Sequence, residues 1–219
     1  MNPFPPVESA NEEGLLAISQ SIDTELLIQA YQNGIFPWPY SEDAPITWFS
    51  PDPRGVLPCE DIRYSRNLKK DLKKYPYEIR VNQDFPTIIG HCYHHHRENS
   101  GATWITRALI NAYCQLFEMQ KAYCIEAYLD GQLCGGLYGV CLGNFFSGES
   151  MFYFKDHAAK ACLAYLQQKL QKQQIRYLDC QMVTPTLMRF GAHHLTRKHF
   201  INWLTNECDF TQDSYSLIN

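Results

Sequence analysis

The sequence predicts an α/β protein of the α+β kind, in which a mixed sheet with one parallel strand pair is built around a crossover helix. Three observations predict it. Asp130-Gly131 separates the apolar runs 122–129 and 132–141, and that dipeptide is a strong two-residue hairpin turn. Residues 156–172 place Ala158, Cys162, Leu163, Leu166 and Leu170 along one stripe at helical spacing. Strand-like stretches flank that helix, 145–149 before it and 175–181 after it, and a helix between two strands returns the second parallel to the first.

Length and charge narrow the possibilities. A chain of 219 residues can form one large domain or two smaller ones. Its apolar fraction is ordinary, so a packed core is expected and disorder is not. The formal net charge of −4 argues against a broadly basic surface, although it leaves room for a local basic patch. No apolar run approaches ~18 residues, so no membrane span is expected. The start, Met1-Asn2-Pro3-Phe4-Pro5-Pro6, has neither the positive region nor the apolar core of a signal peptide. The cysteine count of nine is odd, and no pair has the two-residue spacing of zinc ligands. Cys92, Cys114, Cys124, Cys134, Cys141, Cys162 and Cys180 sit inside apolar runs and read as reduced core residues of a cytoplasmic protein.

Taken in order, a Pro- and acid-containing segment leads into the short apolar run Gly14-Leu15-Leu16-Ala17-Ile18. Asp23 is placed to cap a helix over 24–33, with Leu26, Leu27, Ala30 and Tyr31 on one face and Gly34 as its stop. Two aromatic, proline-stiffened loops follow, Ile35-Phe36-Pro37-Trp38-Pro39-Tyr40 and Thr47-Trp48-Phe49-Ser50-Pro51-Asp52-Pro53-Arg54, and they read as a packed subdomain or a binding surface. Residues 65–74 read as a helix whose basic face carries Arg66, Lys69, Lys70, Lys73 and Lys74. A solvated surface helix explains that face; it is also the densest positive charge in an acidic chain, where phosphates would be met. A strand over 77–81 precedes a helix capped by Asp84 and running through Ile88, Ile89 and Cys92. His94-His95-His96 falls at the exposed end of that helix and its loop. Adjacent side chains diverge and no second ligand cluster matches in spacing, so no metal site is expected. Residues 103–107 lead into a helix through Leu109, Ile110, Tyr113, Leu116 and Phe117, and then into the hairpin. The paired Gly135-Gly136 predicts a bulge or a close backbone approach. Thr184 and Thr196 are placed to cap two further helices, the first ended by Gly191, and the polar tail beyond Cys208 is expected to fray.

Three polar residues stand out in apolar surroundings. Glu149 is expected to end the aromatic strand 145–149, and Asp179 and Gln181, two apart on a strand, share a face. For a single acid, capping a helix or binding backbone amides is the commoner explanation; two acids and an amide flanked by aromatic residues point to a site. The element order is that of the acetyl-CoA-dependent acyltransferase (GNAT) fold. That fold holds a pyrophosphate on a Gly-rich turn at the helix start. Here the segment reads Met151-Phe152-Tyr153-Phe154-Lys155-Asp156-His157, without glycine, so no coenzyme A site is expected.

Over residues 14–204 the chain closely resembles one family, leucyl/phenylalanyl-tRNA–protein transferase. The resemblance is carried by Ala30-Tyr31-Gln32-Asn33-Gly34-Ile35-Phe36-Pro37-Trp38, Trp48-Phe49-Ser50-Pro51-Asp52-Pro53-Arg54, Trp104-Ile105-Thr106-Arg107, Gly135-Gly136-Leu137-Tyr138-Gly139-Val140, Gly148-Glu149-Ser150-Met151-Phe152 and Asp179-Cys180-Gln181. Several long motifs in order are specific where any single one is not. The resemblance implies a small N-terminal domain over residues 1–60 and a GNAT-like aminoacyltransferase domain over residues 61–219. It implies a cytoplasmic monomer without metal or organic cofactor. Such an enzyme transfers Leu or Phe, less often Met, from aminoacyl-tRNA to acceptor proteins with N-terminal Arg or Lys, and the new N-terminus marks them for degradation under the N-end rule.

Carried over by motif, the resemblance places Asp179, Gln181 and Glu149 at the reacting groups. The reaction is aminolysis of an activated ester, and an N-terminal amine with a pKa near ~8 is largely protonated at neutral pH. Asp179 is expected to hold the ammonium and help it lose a proton, Gln181 to orient amine or ester, and Glu149 to place the acceptor or the terminal adenosine. The aminoacyl pocket would be walled by Leu137, Phe146, Met151, Leu163, Leu166, Leu170 and Leu178, which by composition alone are core residues. Tyr31, Trp38 and Trp104 would stack on the adenosine or close the pocket, and Arg66, Lys69, Lys70, Lys73 and Lys74 would take acceptor-stem phosphates. The chain departs from the family at Ser19-Gln20-Ser21-Ile22, where Gly-Gly-Asp-Leu is usual, at Leu137 for Met, and at Leu166 and Leu170 for Phe. The pocket stays apolar with another shape, which leaves the choice among Leu, Phe and Met open. Three other readings are an acyl-CoA-dependent acetyltransferase, a non-catalytic RNA- or peptide-binding module, and a transferase of altered donor choice. The first lacks its Gly-rich turn here, and the second would not require Asp179 and Glu149.

Overall fold

The computed structural model describes residues 3–60, 62, 64–100, 103–213, 216 and 218, without the side chains of His96, Glu98, Asn99 and Ser100. In chain order the elements are β1 (Leu15–Ser19), α1 (Thr24–Gln32), β2 (Phe36–Pro37), β3 (Ile46–Phe49), β4 (Arg54–Pro58), α2 (Arg66–Leu72), β5 (Glu78–Val81), α3 (Phe85–Ser100), α4 (Arg107–Glu118), β6 (Ala122–Leu129), β7 (Gln132–Leu142), β8 (Phe145–Tyr153), α5 (Ala158–Lys172), β9 (Tyr177–Gln181), α6 (Pro185–Arg189), β10 (His193–Leu195) and α7 (Arg197–Glu207).

The N-terminal strands form an antiparallel sheet in the order β1-β3-β2. Helix α1 starts where the Asp23 carboxylate accepts the N–H of Leu26 at 2.8 Å, and it stops at Gly34, whose φ of +73° a glycine adopts without strain. The apolar run at residues 14–18 is a strand, and the aromatic loops contribute two more; their prolines interrupt the alternation that would have announced them.

The remaining strands form one sheet in the order β10-β4-β9-β8-β7-β6-β5. Every neighbouring pair is antiparallel except β8 and β9, which run parallel around α5. The predicted mixed sheet with a crossover helix is therefore present. Sheet membership changes between Phe49 and Arg54, ahead of the expected boundary at residue 60, because β4 pairs with β9 and β10. Side chains alternate across the sheet, so each face buries its own core. On one face Tyr138 packs with Phe85, Leu109 and Tyr113 of α3 and α4, together with Leu27, Trp48 and Phe200. On the other, Leu137 packs with the predicted stripe of α5, namely Ala158, Cys162, Leu163, Leu166 and Leu170.

Gly135 lets α5 sit down on β7, since a Cβ there would lie 2.8 Å from that of Ala158. The adjacent Cys134 is an extra residue in the β6–β7 ladder, so the glycine pair marks both a close approach and a bulge. Helix α3 runs on to Ser100, so His94 and His95 lie within it rather than at its loop; the side chain of His96 lies outside the described residues. The tail beyond Cys208, expected to fray, is tied down at its start among the described residues. The N–H of Asp209 donates to Asn144 Oδ1 at 2.6 Å, the N–H of Asn144 donates back to the Asp209 carbonyl at 3.1 Å, and Ile218 is buried. None of the nine cysteines is in a disulfide; Cys114 and Cys208 are half-buried and the other seven are buried. Among the described residues no helix is long and apolar enough to cross a membrane.

Two glycine substitutions test this packing by urea denaturation. A Cβ at Gly139 would lie 2.0 Å from the Ser147 carbonyl oxygen and 2.5 Å from the Tyr123 hydroxyl. Gly139→Ala is expected to cost about 3 kcal/mol, because backbone must move to admit the methyl. Gly90, in α3, has nothing within 4 Å of the same position, so Gly90→Ala should stabilise by about 0.5–1 kcal/mol.

Candidate active site

The parallel pairing of β8 and β9 joins Phe146 to Leu178 and Ser147 to Asp179. Just beyond those pairs both strands bulge. On β8, Gly148 and Ser150 face Gly139 and Tyr138, which leaves Glu149 as the extra residue. On β9, Asp179 and Gln181 face Val56 and Gly55, which leaves Cys180 extra and puts Gln181 at φ +57°. The strands part there, and a cleft of about 680 Å³ opens with Gly148, Glu149, Ser150 and Met151 on one side and Cys180, Gln181 and Met182 on the other. Strand β8 continues past Glu149 to Tyr153. Glu149 therefore does not end the strand; the bulge turns its side chain out of the ladder and into the cleft.

The Glu149 carboxylate is held by three donors. Its Oε1 accepts from Ser147 Oγ at 2.7 Å and from Gln181 Nε2 at 3.1 Å, and its Oε2 accepts from the Tyr113 hydroxyl at 3.1 Å. Gln181 Nε2 also donates to Ser147 Oγ at 2.7 Å. The hydroxyls of Tyr113 and Tyr31 lie 2.7 Å apart behind this group, and burial pushes both phenols well above their ordinary range. Glu149 keeps partial contact with solvent along the cleft, yet its carboxyl lies deep enough that the ionised form is poorly solvated. Burial is the main cause that pushes its pKa up to about 7; the Ser147 hydrogen bond offsets part of that, and the nearby Asp179 charge adds to it.

Asp179 and Arg54 form the most enclosed charged pair beside the cleft. Arg54 Nε donates to Asp179 Oδ1 at 2.8 Å and Arg54 Nη2 to Oδ2 at 2.6 Å, with both side chains at most 1% exposed. Arg54 Nη1 donates to the Gly34 carbonyl at 2.9 Å, and the guanidinium lies between the rings of Phe36 and Phe200, 4.6 Å from each. The N–H of Gln181 donates to Asp179 Oδ1 at 3.1 Å, so Asp179 also sets the backbone of its neighbour.

The other expected residues divide between the cleft wall and the layer behind it. Leu137, Met151, Leu163, Leu166 and Leu178 line its apolar part. Trp38 and Trp104 line it too, stacked on each other with ring centroids 4.9 Å apart. Phe146 and Leu170 are fully buried in the core behind the wall. Tyr31 is also enclosed and reaches the site through Tyr113. Arg66, Lys69, Lys70, Lys73 and Lys74 are exposed on or just past α2, outside the cleft lining. Sequence reasoning missed Arg54, Tyr113 and Ser147 as site residues. Arg54 had a signal, a single cation closing an aromatic motif; Ser147 had one too, since it stands two residues before Glu149. Tyr113 looked like any residue of an apolar helix face.

An apolar slot that ends beside a half-shielded carboxylate can seat an apolar side chain and exchange a proton with a polar group attached to it. Comparisons with known proteins give the family. Residues 56–205 match the family model of leucyl/phenylalanyl-tRNA protein transferase, and residues 20–52 match the model of that enzyme's N-terminal domain. The chain is 45% identical over 199 residues to the leucyl/phenylalanyl-tRNA–protein transferase of Azoarcus sp. (strain BH72), covering 90% of this chain and 84% of that protein. It is 41% identical over 202 residues to the protein of the same name from Lawsonia intracellularis, covering 92% and 88%. Among solved structures, a GCN5-related N-acetyltransferase-like protein from Streptococcus suis aligns with 78% of this chain and 64% of its own at 14% identity and a TM-score of 0.37. With both family models matched in order and such identity over nearly the whole length, the chain belongs to the leucyl/phenylalanyl-tRNA–protein transferase family.

Proposed function

We propose that this protein moves Leu or Phe, and less readily Met, from aminoacyl-tRNA to the N-terminal amine of proteins beginning with Arg or Lys. It does so as a cytoplasmic monomer without metal or organic cofactor, and the new N-terminus marks the acceptor for degradation. The observation that carries the reading is the two-part wall of one cleft. Leu137, Met151, Leu163, Leu166 and Leu178 line its apolar part and Glu149 lines it too; in this reading the leucines and methionine receive the aminoacyl side chain, and Glu149 meets the ester and the amine. One methylene in such a slot changes binding by ~1–3 kcal/mol, so Leu, Phe and Met can share it. Trp38 and Trp104 offer aromatic faces to the terminal adenosine, and the basic residues of α2 a sequence-independent path for the acceptor stem.

The chemistry follows from the carboxylate network. The acceptor arrives as an ammonium, and Glu149 in its ionised form holds it and takes one proton. The freed amine attacks the ester carbonyl; the new C–N bond forms, the C–O bond to the ribose breaks and the departing ribose oxygen takes the proton that Glu149 carries, while the nitrogen's second proton passes to the re-ionised Glu149 and from there to water in the cleft. Ser147, Gln181 and Tyr113 fix the Glu149 carboxylate in one orientation throughout. Asp179 serves as a positioning residue. Its oxygens are committed to Arg54 and to the Gln181 N–H, and through Gln181 it aims the amide that orients Glu149. The ionised Glu149 carboxylate also favours an acceptor whose first side chain is cationic.

The first test incubates the protein with Leu-tRNA, Phe-tRNA or Met-tRNA and a peptide starting with Arg, and follows the mass of the peptide. Gain of one residue is expected from Leu-tRNA and Phe-tRNA; an unchanged peptide with all three, from folded protein, rejects the reading.

Glu149→Gln should lower the transfer rate by roughly 10²–10⁴-fold, the usual loss of a proton-transfer group. In the wild type kcat/KM should rise with pH through about 7, as Glu149 ionises, and the variant should lack that limb. Stability moves the other way. A raised folded-state pKa means that the contribution of neutral Glu149 is fully present below its ordinary value of 4.5 and is lost as pH rises through about 7. Relative to the wild type, the permanently neutral variant should gain about 1–2 kcal/mol between pH 5 and pH 8, partial solvent contact keeping it below the ~3 kcal/mol of a sealed core. Denaturant midpoints at the two pH values measure it.

Asp179→Asn leaves the buried Arg54 guanidinium without its counter-charge. It should cost about 3–5 kcal/mol of stability and reduce transfer in the fraction that stays folded. Wild-type stability and full rate in this variant would remove Asp179 from the site.

A further inference from the structure

The exposed cations of α2 stand outside the cleft. Among the described residues, the permanently cationic side chains that line it are Lys160 on α5 and Arg189 on α6. Both reach one atom. Asp71 Oδ2, on α2, accepts from Arg189 Nη2 at 2.5 Å and lies 3.5 Å from Lys160 Nζ. His157 Nδ1 is 3.9 Å from the same oxygen and 3.2 Å from Lys160 Nζ. A single carboxylate oxygen of α2 is thus shared by two permanent cations, from α5 and α6, and by the imidazole at the N-cap of α5.

This cluster is more than a brace between helices. Two full positive charges face one negative charge, so the group keeps attraction for a further anion. Its members are partly open to solvent, with Asp71 24%, Lys160 21% and Arg189 40% exposed, so an incoming anion can exchange for the carboxylate without unfolding anything. Exposed ion pairs contribute little, whereas the planar fork of an arginine and an ammonium bind phosphate oxygens by stronger, charge-assisted bonds. The cluster also bridges the cleft to the exposed basic residues of α2, because Asp71 belongs to that helix and Lys74 lies 3.8 Å from Asp156 on the cleft lining.

We propose that Lys160 and Arg189 receive the 5′-phosphate of the donor's terminal nucleotide, and that Asp71 is the internal anion that holds these two side chains in place until the phosphate replaces it. The proposal rests on the aminoacyl-tRNA reading of the cleft and deepens it. It gives the nucleotide chain its point of exit, with the aminoacyl group over the apolar slot, the terminal phosphate at the rim, and the following phosphates along α2.

The probes are two stable donor analogues, 3′-leucylamido-3′-deoxyadenosine with and without a 5′-phosphate, titrated calorimetrically into the full-length protein. The phosphorylated analogue should bind about tenfold more tightly to the wild type, as expected for a charge-assisted contact net of desolvation. Lys160→Ala and Arg189→Ala should each remove most of that preference while the unphosphorylated analogue binds as before. Asp71→Asn should enlarge the preference, since it removes the competitor; a brace role alone would instead weaken both analogues together. Equal affinities in the wild type, parallel losses for both analogues in the lysine and arginine variants, or a smaller preference in Asp71→Asn would each overturn the proposal. Failure of the underlying reading looks different: neither analogue binds and no aminoacyl-tRNA supports transfer, and both ideas then fall.

Discussion

The ion pair between Arg54 and Asp179 holds the rest of the structure in register. Burying two charges costs several kcal/mol per ion, and only good geometry with every remaining donor used can offset that. Here both oxygens and all three guanidinium nitrogens are engaged, and two aromatic faces cover the flat sides of the arginine. The partners come from distant parts of the chain. Gly34 and Phe36 belong to the N-terminal sheet region, Arg54 to β4, Asp179 to β9 and Phe200 to α7. The pair therefore pins the N-terminal elements and the last helix to the centre of the large sheet. It also fixes the Gln181 backbone, and from there the amide that orients Glu149.

The cleft is made by paired irregularities in one sheet. Where β8 and β9 are hydrogen-bonded, Phe146 is buried as ordinary core and Leu178 forms part of the cleft wall. One residue further on, both ladders carry an extra residue, and the strands separate at the same height. A bulge adds twist and re-aims side chains, so the site is obtained without a separate loop. The wall of the slot is the same α5 stripe that packs the sheet, which is why its leucines serve stability and binding together. Gly139 belongs to this construction, since the close approach of Ser147 and Tyr123 beside the bulge leaves no room for a Cβ.

Charge is sorted by depth. Glu149, Asp179 and Arg54 lie inside, each answered by a defined set of partners, while Lys160, Arg189 and the basic residues on and just past α2 are partly or fully exposed. Burial makes Glu149 reluctant to ionise, so that it can give and take a proton near neutral pH. The basic residues on and just past α2 are exposed outside the cleft lining, and in the proposed function they would meet phosphates through contacts that carry no sequence information.

Local chemistry determined much of this protein from the sequence alone. Asp23, Asp84, Thr184 and Thr196 all accept a backbone N–H at the helix starts they mark, because capping depends on neighbours within one turn. The Asp130-Gly131 hairpin, the α5 stripe and the parallel strands around it were legible for the same reason, and the ordered motifs pointed to the family. The expected triad of Asp179, Gln181 and Glu149 does come together, but the division of labour within it was not legible. Period-two alternation put Asp179 and Gln181 on one face of a regular strand; the bulge at Cys180 and the positive φ of Gln181 change that relation. The partner of Asp179 is Arg54, and no local pattern links residues so far apart in the chain. The short strands β2, β4 and β10 escaped notice because proline, or simple brevity, leaves too little pattern to read. Whether a leucine faces a slot or the core, as Leu166 and Leu170 on one helix stripe show, depends on where two strands diverge. Only the tertiary structure decides that, since divergence is a property of the sheet as a whole.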